Sequence, residues 1–353
     1  MFNQGPPTSS GSKQALTRVA NHPKSANNLS GGIGAFMATA WRDKGAKLWK
    51  NRPLFDRRSR LAWAIALCAL LMQQTLFAMA GLKLTSHELW WTVAAGVVLT
   101  GVAGMLRRHG SQNVSTMIEA LALLVIAGLT CAILQYPMIA LGGPLADRGL
   151  LAADKLLGFD WATFTRFFAH RTTDVTLVIS YELFRVQGAL VIVYLCVTGQ
   201  SNRAWQLLTA AIGSLLIAVL LLALFAADGS FVGCGLRLDD LPFHAKFCAY
   251  GPVIIGIKSG AIHMIDPSLY YGLVSLPSFH VAGGVMLIWA VWHRPWLRWP
   301  SLALNFLMGI ASIVIGGHYL VDVIGGVLLA YLAIVTVKAI LPEDRAIPTF
   351  GTW

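Results

Sequence analysis

Leu320-Val-Asp-Val-Ile-Gly-Gly-Val-Leu-Leu-Ala-Tyr-Leu-Ala-Ile-Val-Thr-Val-Lys-Ala-Ile-Leu341 decides the fold class. Its only charges, Asp322 and Lys338, lie near its two ends. As a helix rising about 1.5 Å per residue, the stretch is long enough to cross a bilayer core roughly 30 Å thick. A helix is also what lipid demands, because backbone polar groups there must be satisfied within the segment. Stretches of the same character recur upstream at about 61–82, 88–106, 116–142, 173–198, 204–226, 276–293 and 300–317. The sequence therefore predicts an all-α, polytopic membrane bundle of about eight transmembrane helices.

Composition points the same way. Apolar residues make up 56% of the chain and charged residues 12%, with a mean hydropathy of +0.64. Soluble domains carry about 25% charged residues, so an ordinary water-soluble fold is excluded. The net charge of +11 is concentrated at one end: residues 1–60 hold eleven Lys/Arg against Asp43 and Asp56, leaving only +2 for the remainder. A basic segment ahead of the first span suits anionic lipid headgroups on the cytoplasmic side better than nucleic acid, so no nucleic-acid partner is expected. Residues 1–30 are rich in Ser, Asn, Gly and Pro and are expected to be disordered. Ile33–Trp49 is either a helix lying on the inner surface or a loose linker.

Orientation follows from the short loops. Arg107/Arg108, Arg203, Arg294/Arg298 and Lys338/Arg345 fall on the side of the basic tail, which predicts cytoplasmic termini. Segments 143–172 and 227–275 then face outward, and short loops with high Ala, Gly and Trp content suggest a bacterial cytoplasmic membrane. Cys68, Cys131 and Cys196 lie inside spans, whereas Cys234 and Cys248 share the outward loop, an oxidising setting in which a disulfide is expected. Such a bridge would contribute about 3 kcal/mol through the entropy of the loop it closes.

Two short segments carry the chemistry: Ser275-Leu-Pro-Ser-Phe-His280 and Gly316-Gly-His-Tyr-Leu-Val-Asp322. The first opens the sixth span and the second opens the eighth, so His280 and His318 are expected at the same membrane face. Asp322 follows His318 by four residues, one helical turn away, where a carboxylate can accept the ring N–H and steady an imidazolium. His280 is suited to proton transfer at the leaving and incoming oxygens. Ser278 and the N–H groups at the start of its helix suit phosphate oxygens. Glu182 and Arg185, three apart inside the fourth span, form either a neutralising pair or, through Arg185, a contact to phosphate.

Pro277-Ser278-Phe279-His280 and Gly317-His318-Tyr319-Leu320-Val321-Asp322 resemble the second and third motifs of the type 2 phosphatidic acid phosphatase superfamily. Within it, Asp154-Lys-Leu-Leu-Gly-Phe-Asp-Trp161 and Asn305-Phe-Leu-Met308 are similar to the inositolphosphotransferase-like branch, which includes inositol phosphorylceramide synthases. The resemblance covers about 145–341. It implies that His318 is a nucleophile forming a phosphohistidine, with Asp322 its orienter and His280 the general acid and base, and it implies no metal or other cofactor. The family's first motif, Lys and Arg-Pro separated by six residues, is absent from the outward loop. Ala311-Ser312 stand where the third motif has Ser-Arg. Lys258 resembles a basic position of the branch and is the expected substitute phosphate ligand, with Arg237 and Lys246 behind it.

The chain is thus expected to comprise a basic tail (1–60), N-terminal transmembrane helices (61–142), a catalytic membrane domain (143–341) and a short C-terminal tail (342–353). The expected activity is transfer of a phosphate-containing group from a lipid phosphate or phosphodiester. Hydrolysis by a lipid phosphatase is the alternative, and a transporter or scaffold is the alternative of another class. Transporters often show internal repeats around a midplane site. The sequence shows no such repeat, and its polar cluster lies at one face.

Overall fold

The chain was analysed as a computed structural model that describes residues 56–85, 88–168, 171–234, 250–266 and 272–342. The expected disordered tail and surface helix lie outside the described residues, as do Arg237, His244, Lys246, Cys248 and 343–353.

Long apolar runs bounded by polar turns form the successive helices α1 (Arg60–Ala80), α2 (Glu88–Arg108) and α3 (Gln112–Leu141). The first is stopped by Gly81, which takes a left-handed conformation (φ 67°) and donates its N–H to Ala78. Two short helices follow, α4 (Asp147–Leu156) and α5 (Trp161–Phe167), the latter started by Asp160, whose carboxylate accepts the Thr163 N–H. Then come α6 (Arg171–Val197), α7 (Ser201–Phe225), α8 (Ser230–Gly233), α9 (Gly251–Lys258), α10 (Phe279–Val291), α11 (Pro295–Val314) and α12 (Leu320–Ile340). A two-residue parallel ladder pairs β1 (Lys83–Leu84) with β2 (Met264–Ile265). Two residues give no alternation to read, which is why the sequence did not announce it.

Among the described residues, seven helices are long and apolar enough to cross a membrane. The sixth expected span, 276–293, is shorter than the sequence suggests: α10 has 13 residues, about 20 Å, against a hydrocarbon core of about 30 Å. The cause is local. Proline disfavours helical backbone in the residue before it, so Leu276 cannot extend the helix past Pro277. The chain from Gly272 to Ser275 instead runs without regular structure into the Ser278 cap.

Helix α7 lies at the centre, with α1, α3, α6, α10 and α12 packed around it through buried Trp205, Leu208, Ala218 and their neighbours. One end of this bundle is tied by polar contacts between loops. Arg203 donates to the carbonyls of Trp289 and Ala290, Gln206 to Leu341, Asn202 to Pro342 and Ser201 to Asn113. The basic loops therefore do share an end. Glu119 lies near it, buried, 2.5 Å from Arg107, and accepts the Trp63 indole N–H at 3.0 Å. A buried carboxylate needs such partners, because desolvation of an unpaired one costs more than the chain can recover.

Candidate active site

At the opposite end, α11 stops at Val314 and the chain turns sharply into α12. Gly316 donates to the Ala311 carbonyl and His318 to the Ser312 carbonyl, both at 3.1 Å. Gly317 makes the turn at φ 67°, and a Cβ there would sit 2.6 Å from the Phe231 ring. Only glycine serves at such a position. The turn delivers His318, 6% exposed, and Asp322, fully buried in the first turn of α12.

One oxygen of Asp322 collects three donors: the His318 ring at Nδ1 (3.2 Å), the Tyr319 N–H (3.0 Å) and the Ser275 hydroxyl (2.8 Å). A carboxylate only accepts, so Nδ1 carries the proton and Nε2 keeps its lone pair. That lone pair faces the Ser278 hydroxyl at 3.3 Å. Ser278 also donates its own N–H to the Asp322 carbonyl at 2.9 Å, which ties the loop before α10 to the turn before α12. The tie requires close approach: a Cβ on Gly326 would stand 2.4 Å from the Ser278 carbonyl, and one on Gly325 2.8 Å from Leu276. Gly325 and Gly326 thus pack α12 against the loop that carries Ser275 and Ser278.

His280, the second residue of α10, stacks on Tyr181 of α6 at 4.4 Å and lies 5.0 Å from the Phe184 ring. The Tyr181 hydroxyl approaches the same turn, 3.2 Å from where a Gly316 Cβ would be. Gly272 stands between the two histidines: its Cβ would meet the His280 ring at 4.0 Å, and Gly272 lines a small cavity with His318, Ser275 and Asp228. His280 also lies close to His318 and to Arg185. The pairing expected from sequence, two imidazoles at one end with a carboxylate one turn from the second, is present in the geometry.

Residues of the Asp154–Trp161 segment grip this turn from outside. Asp154 accepts the N–H groups of Leu320 and Val321, both at 2.9 Å, and so caps the helix that bears Asp322. Trp161 donates its indole N–H to the Ile313 carbonyl at 3.0 Å, on the other flank of the turn. Burial pushes the Asp154 carboxyl up, against the two N–H groups that favour its charge. Asp147, which no sequence pattern marked, accepts the N–H groups of Asp228 and Gly229 and the Tyr319 hydroxyl. Burial, then the neighbouring Asp147 carboxylate, drive the Tyr319 phenol well above its ordinary range and keep it a donor. Asp154→Ala is expected to lower kcat by about 10- to 100-fold, in the range found for outer partners that orient a site. Steady-state kinetics of a folded variant would check it.

Other expected site residues are placed differently. The Lys258 ammonium is committed to carbonyls at the end of α3, donating to Ile139 and Gly142 at 3.3 Å and also to Gly143. It does not line the cavity at His318, and burial pushes its amine down. Its observed work is to satisfy carbonyls that a helix end leaves unpaired. Arg185 pairs with Glu182 at 2.9 Å and also lines a second, larger cavity together with His280. Cys234 carries a free thiol, and its expected partner Cys248 lies outside the described residues. Asn305 donates to the Ser301 carbonyl, and it packs with Met308 against Gly284 of α10. Those two residues of the Asn305–Met308 segment therefore bring α11 onto α10.

Residues 148–336 match the PAP2 superfamily, more than half of the chain. The chain belongs to the PAP2 superfamily. Membership makes it a lipid-directed membrane enzyme of the phosphatase or phosphotransferase type. The PAP2 region runs from α4 into α12, so it contains both histidine segments and the Asp154 clamp, whereas α1–α3 precede it. No curated protein and no solved structure matches the chain.

Sequence reasoning missed Asp147, Asp228 and Tyr181. Each acts through tertiary contact across many residues, and none sits in a local pattern. Asp228 leaves one buried carboxylate oxygen without a hydrogen-bond partner beside His318, which no motif foretells.

Proposed function

We propose that this PAP2 enzyme transfers a phosphate-containing group from a lipid donor to a hydroxyl acceptor through a phosphohistidine on His318. The observation that carries the proposal is the buried His318 ring, with Nδ1 held by Asp322 and the Nε2 lone pair turned to Ser278. In the first step Nε2 attacks phosphorus, the bond from phosphorus to the leaving oxygen breaks, and His280 gives that oxygen a proton. Asp322 accepts the Nδ1 proton in a hydrogen bond and balances the charge gained by the ring. In the second step His280 takes the proton of the acceptor hydroxyl, its oxygen attacks phosphorus, and the N–P bond breaks. Ser278 and Arg185 are the phosphate ligands in this reading. Lys258 would join them only by leaving its carbonyls.

A lipid hydroxyl as acceptor makes the enzyme an inositolphosphotransferase-like head-group transferase of sphingolipids or phospholipids, as the Asp154–Trp161 and Asn305–Met308 segments suggest. Hydrolysis is the second reading. The cavity of about 30 Å³ at His318 is large enough to admit a single water. The basic N-terminal segment places the termini in the cytoplasm, and the histidines then act at the outer leaflet of a bacterial inner membrane. Purified protein incubated with a panel of lipid phosphates and phosphoinositides, with and without ceramide or diacylglycerol, tests the choice by mass spectrometry. Transfer predicts new phospholipid only when the alcohol is added. Free phosphate produced at the same rate with and without alcohol contradicts it.

A further inference from the structure

The larger cavity, about 670 Å³, lies between α3, α6, α7 and α10, and its end at the candidate site is formed by His280 and Arg185. Its size is typical of pockets that enclose a ligand, but its chemistry is one-sided. Away from those two residues and Thr92, every lining side chain is apolar or glycine. Along α3 the lining runs from Leu124 to Ala132, roughly 12 Å of helix at about 1.5 Å per residue. It is not sealed from the surface of the bundle: Val125 in its α3 wall is 55% exposed, on a helix long and apolar enough to span a bilayer. A space with polar groups at one end and hydrocarbon elsewhere, reached from the membrane, suits an amphiphile with its phosphate at the histidine and its chain inside.

Two walls of this space have different standing. Helices α6, α7 and α10 belong to the PAP2-matched region, whereas α3 precedes it. Gly128 of α3 and Gly188 of α6 both line the cavity, and a Cβ at either would meet open space, with no atom of another element within 4 Å. Gly283, also in the lining, is different, since a Cβ there would strike Phe184 at 2.4 Å. The openness at Gly128 and Gly188 is therefore not a packing requirement. Their missing side chains leave room in the cavity itself.

We infer that α3, a helix outside the family region, closes a chamber for one hydrocarbon chain of the donor, and that Gly128 and Gly188 set the chain length it admits. The inference rests on the lipid-phosphate reading above and adds what selects the lipid. A Cβ at either glycine meets open space, so a leucine there takes up chamber volume and shortens the chain that fits.

The test compares kcat/KM for long-chain and short-chain phosphatidic acids in the full chain and in Gly128→Leu and Gly188→Leu. The ratio of long to short is expected to fall at least about tenfold in each variant, because methylene contacts in an apolar pocket discriminate by that order. A ratio is insensitive to how much of a variant folds. An unchanged ratio overturns the inference. A second arm needs no turnover: phosphatidic acid bearing a diazirine at the end of one chain is photolysed with wild-type protein in nanodiscs. Adducts are expected on 124–132 and should be lost in Gly128→Leu. Adducts confined to other helices, or unaffected by that substitution, also overturn it. Should wild type turn over no lipid phosphate while these adducts form, the chamber stands and the proposed reaction is what fails.

Discussion

His318→Ala is expected to lower turnover of any phosphate-bearing donor by on the order of 10⁴-fold or more, with no loss of fold. Loss of a covalent nucleophile costs that much when nucleophile, base and orienter act as a unit. The structural cost should be modest. The ring is held by Asp322 and Ser278, and both retain other partners when it is gone: Asp322 keeps the Tyr319 N–H and the Ser275 hydroxyl, and Ser278 keeps its backbone bond to Asp322. Kinetics together with thermal unfolding in detergent separate the two effects. A transporter or scaffold would show neither the loss nor any turnover to lose.

Asp322→Asn should come close behind, lowering kcat by about 10³- to 10⁴-fold, as expected when the carboxylate that balances an imidazolium becomes a neutral amide. Three donors converge on one Asp322 oxygen. An asparagine can place its oxygen there and still accept from all three, with its NH₂ at the position of the other Asp322 oxygen, which has no hydrogen-bond partner. The Nδ1 proton and the Nε2 lone pair are then kept, but a neutral amide no longer balances the charge that the ring gains on attack. KM should change little, because the substitution does not touch the cavity that is to hold the lipid. Asp322→Ala is the harsher variant: it strands the buried Tyr319 N–H and the His318 Nδ1–H, each costing about 1–3 kcal/mol. A wild-type kcat in Asp322→Asn would contradict the role given to the Asp322 charge.

Several features of this site were legible because they are local. The i, i+4 spacing of His318 and Asp322 follows from helix geometry alone, and the hydropathy pattern put His280 and His318 at one end before any contact was known. The helical class was equally open, since apolar runs of span length leave few alternatives. What stayed hidden depends on tertiary contact. The shortness of α10 was masked by the apolar residues around Pro277, whose backbone effect outweighs their hydropathy. Lys258 was the expected phosphate ligand because it resembles a basic position of the inositolphosphotransferase-like branch. The end of α3, with carbonyls in need of a donor, competes for it and holds it. Asp147 and Asp154 reach across more than 160 residues to Tyr319, Leu320 and Val321, a separation at which spacing carries no information.

The most direct measurement is to mix the protein with a lipid donor carrying ³²P in its phosphate, quench within the first turnover, and map the label. Label that survives base, is lost in acid and resides on the peptide containing His318 is expected, and it should be absent from His318→Ala. Label on another residue, or product formed at the wild-type rate by His318→Ala, would contradict it.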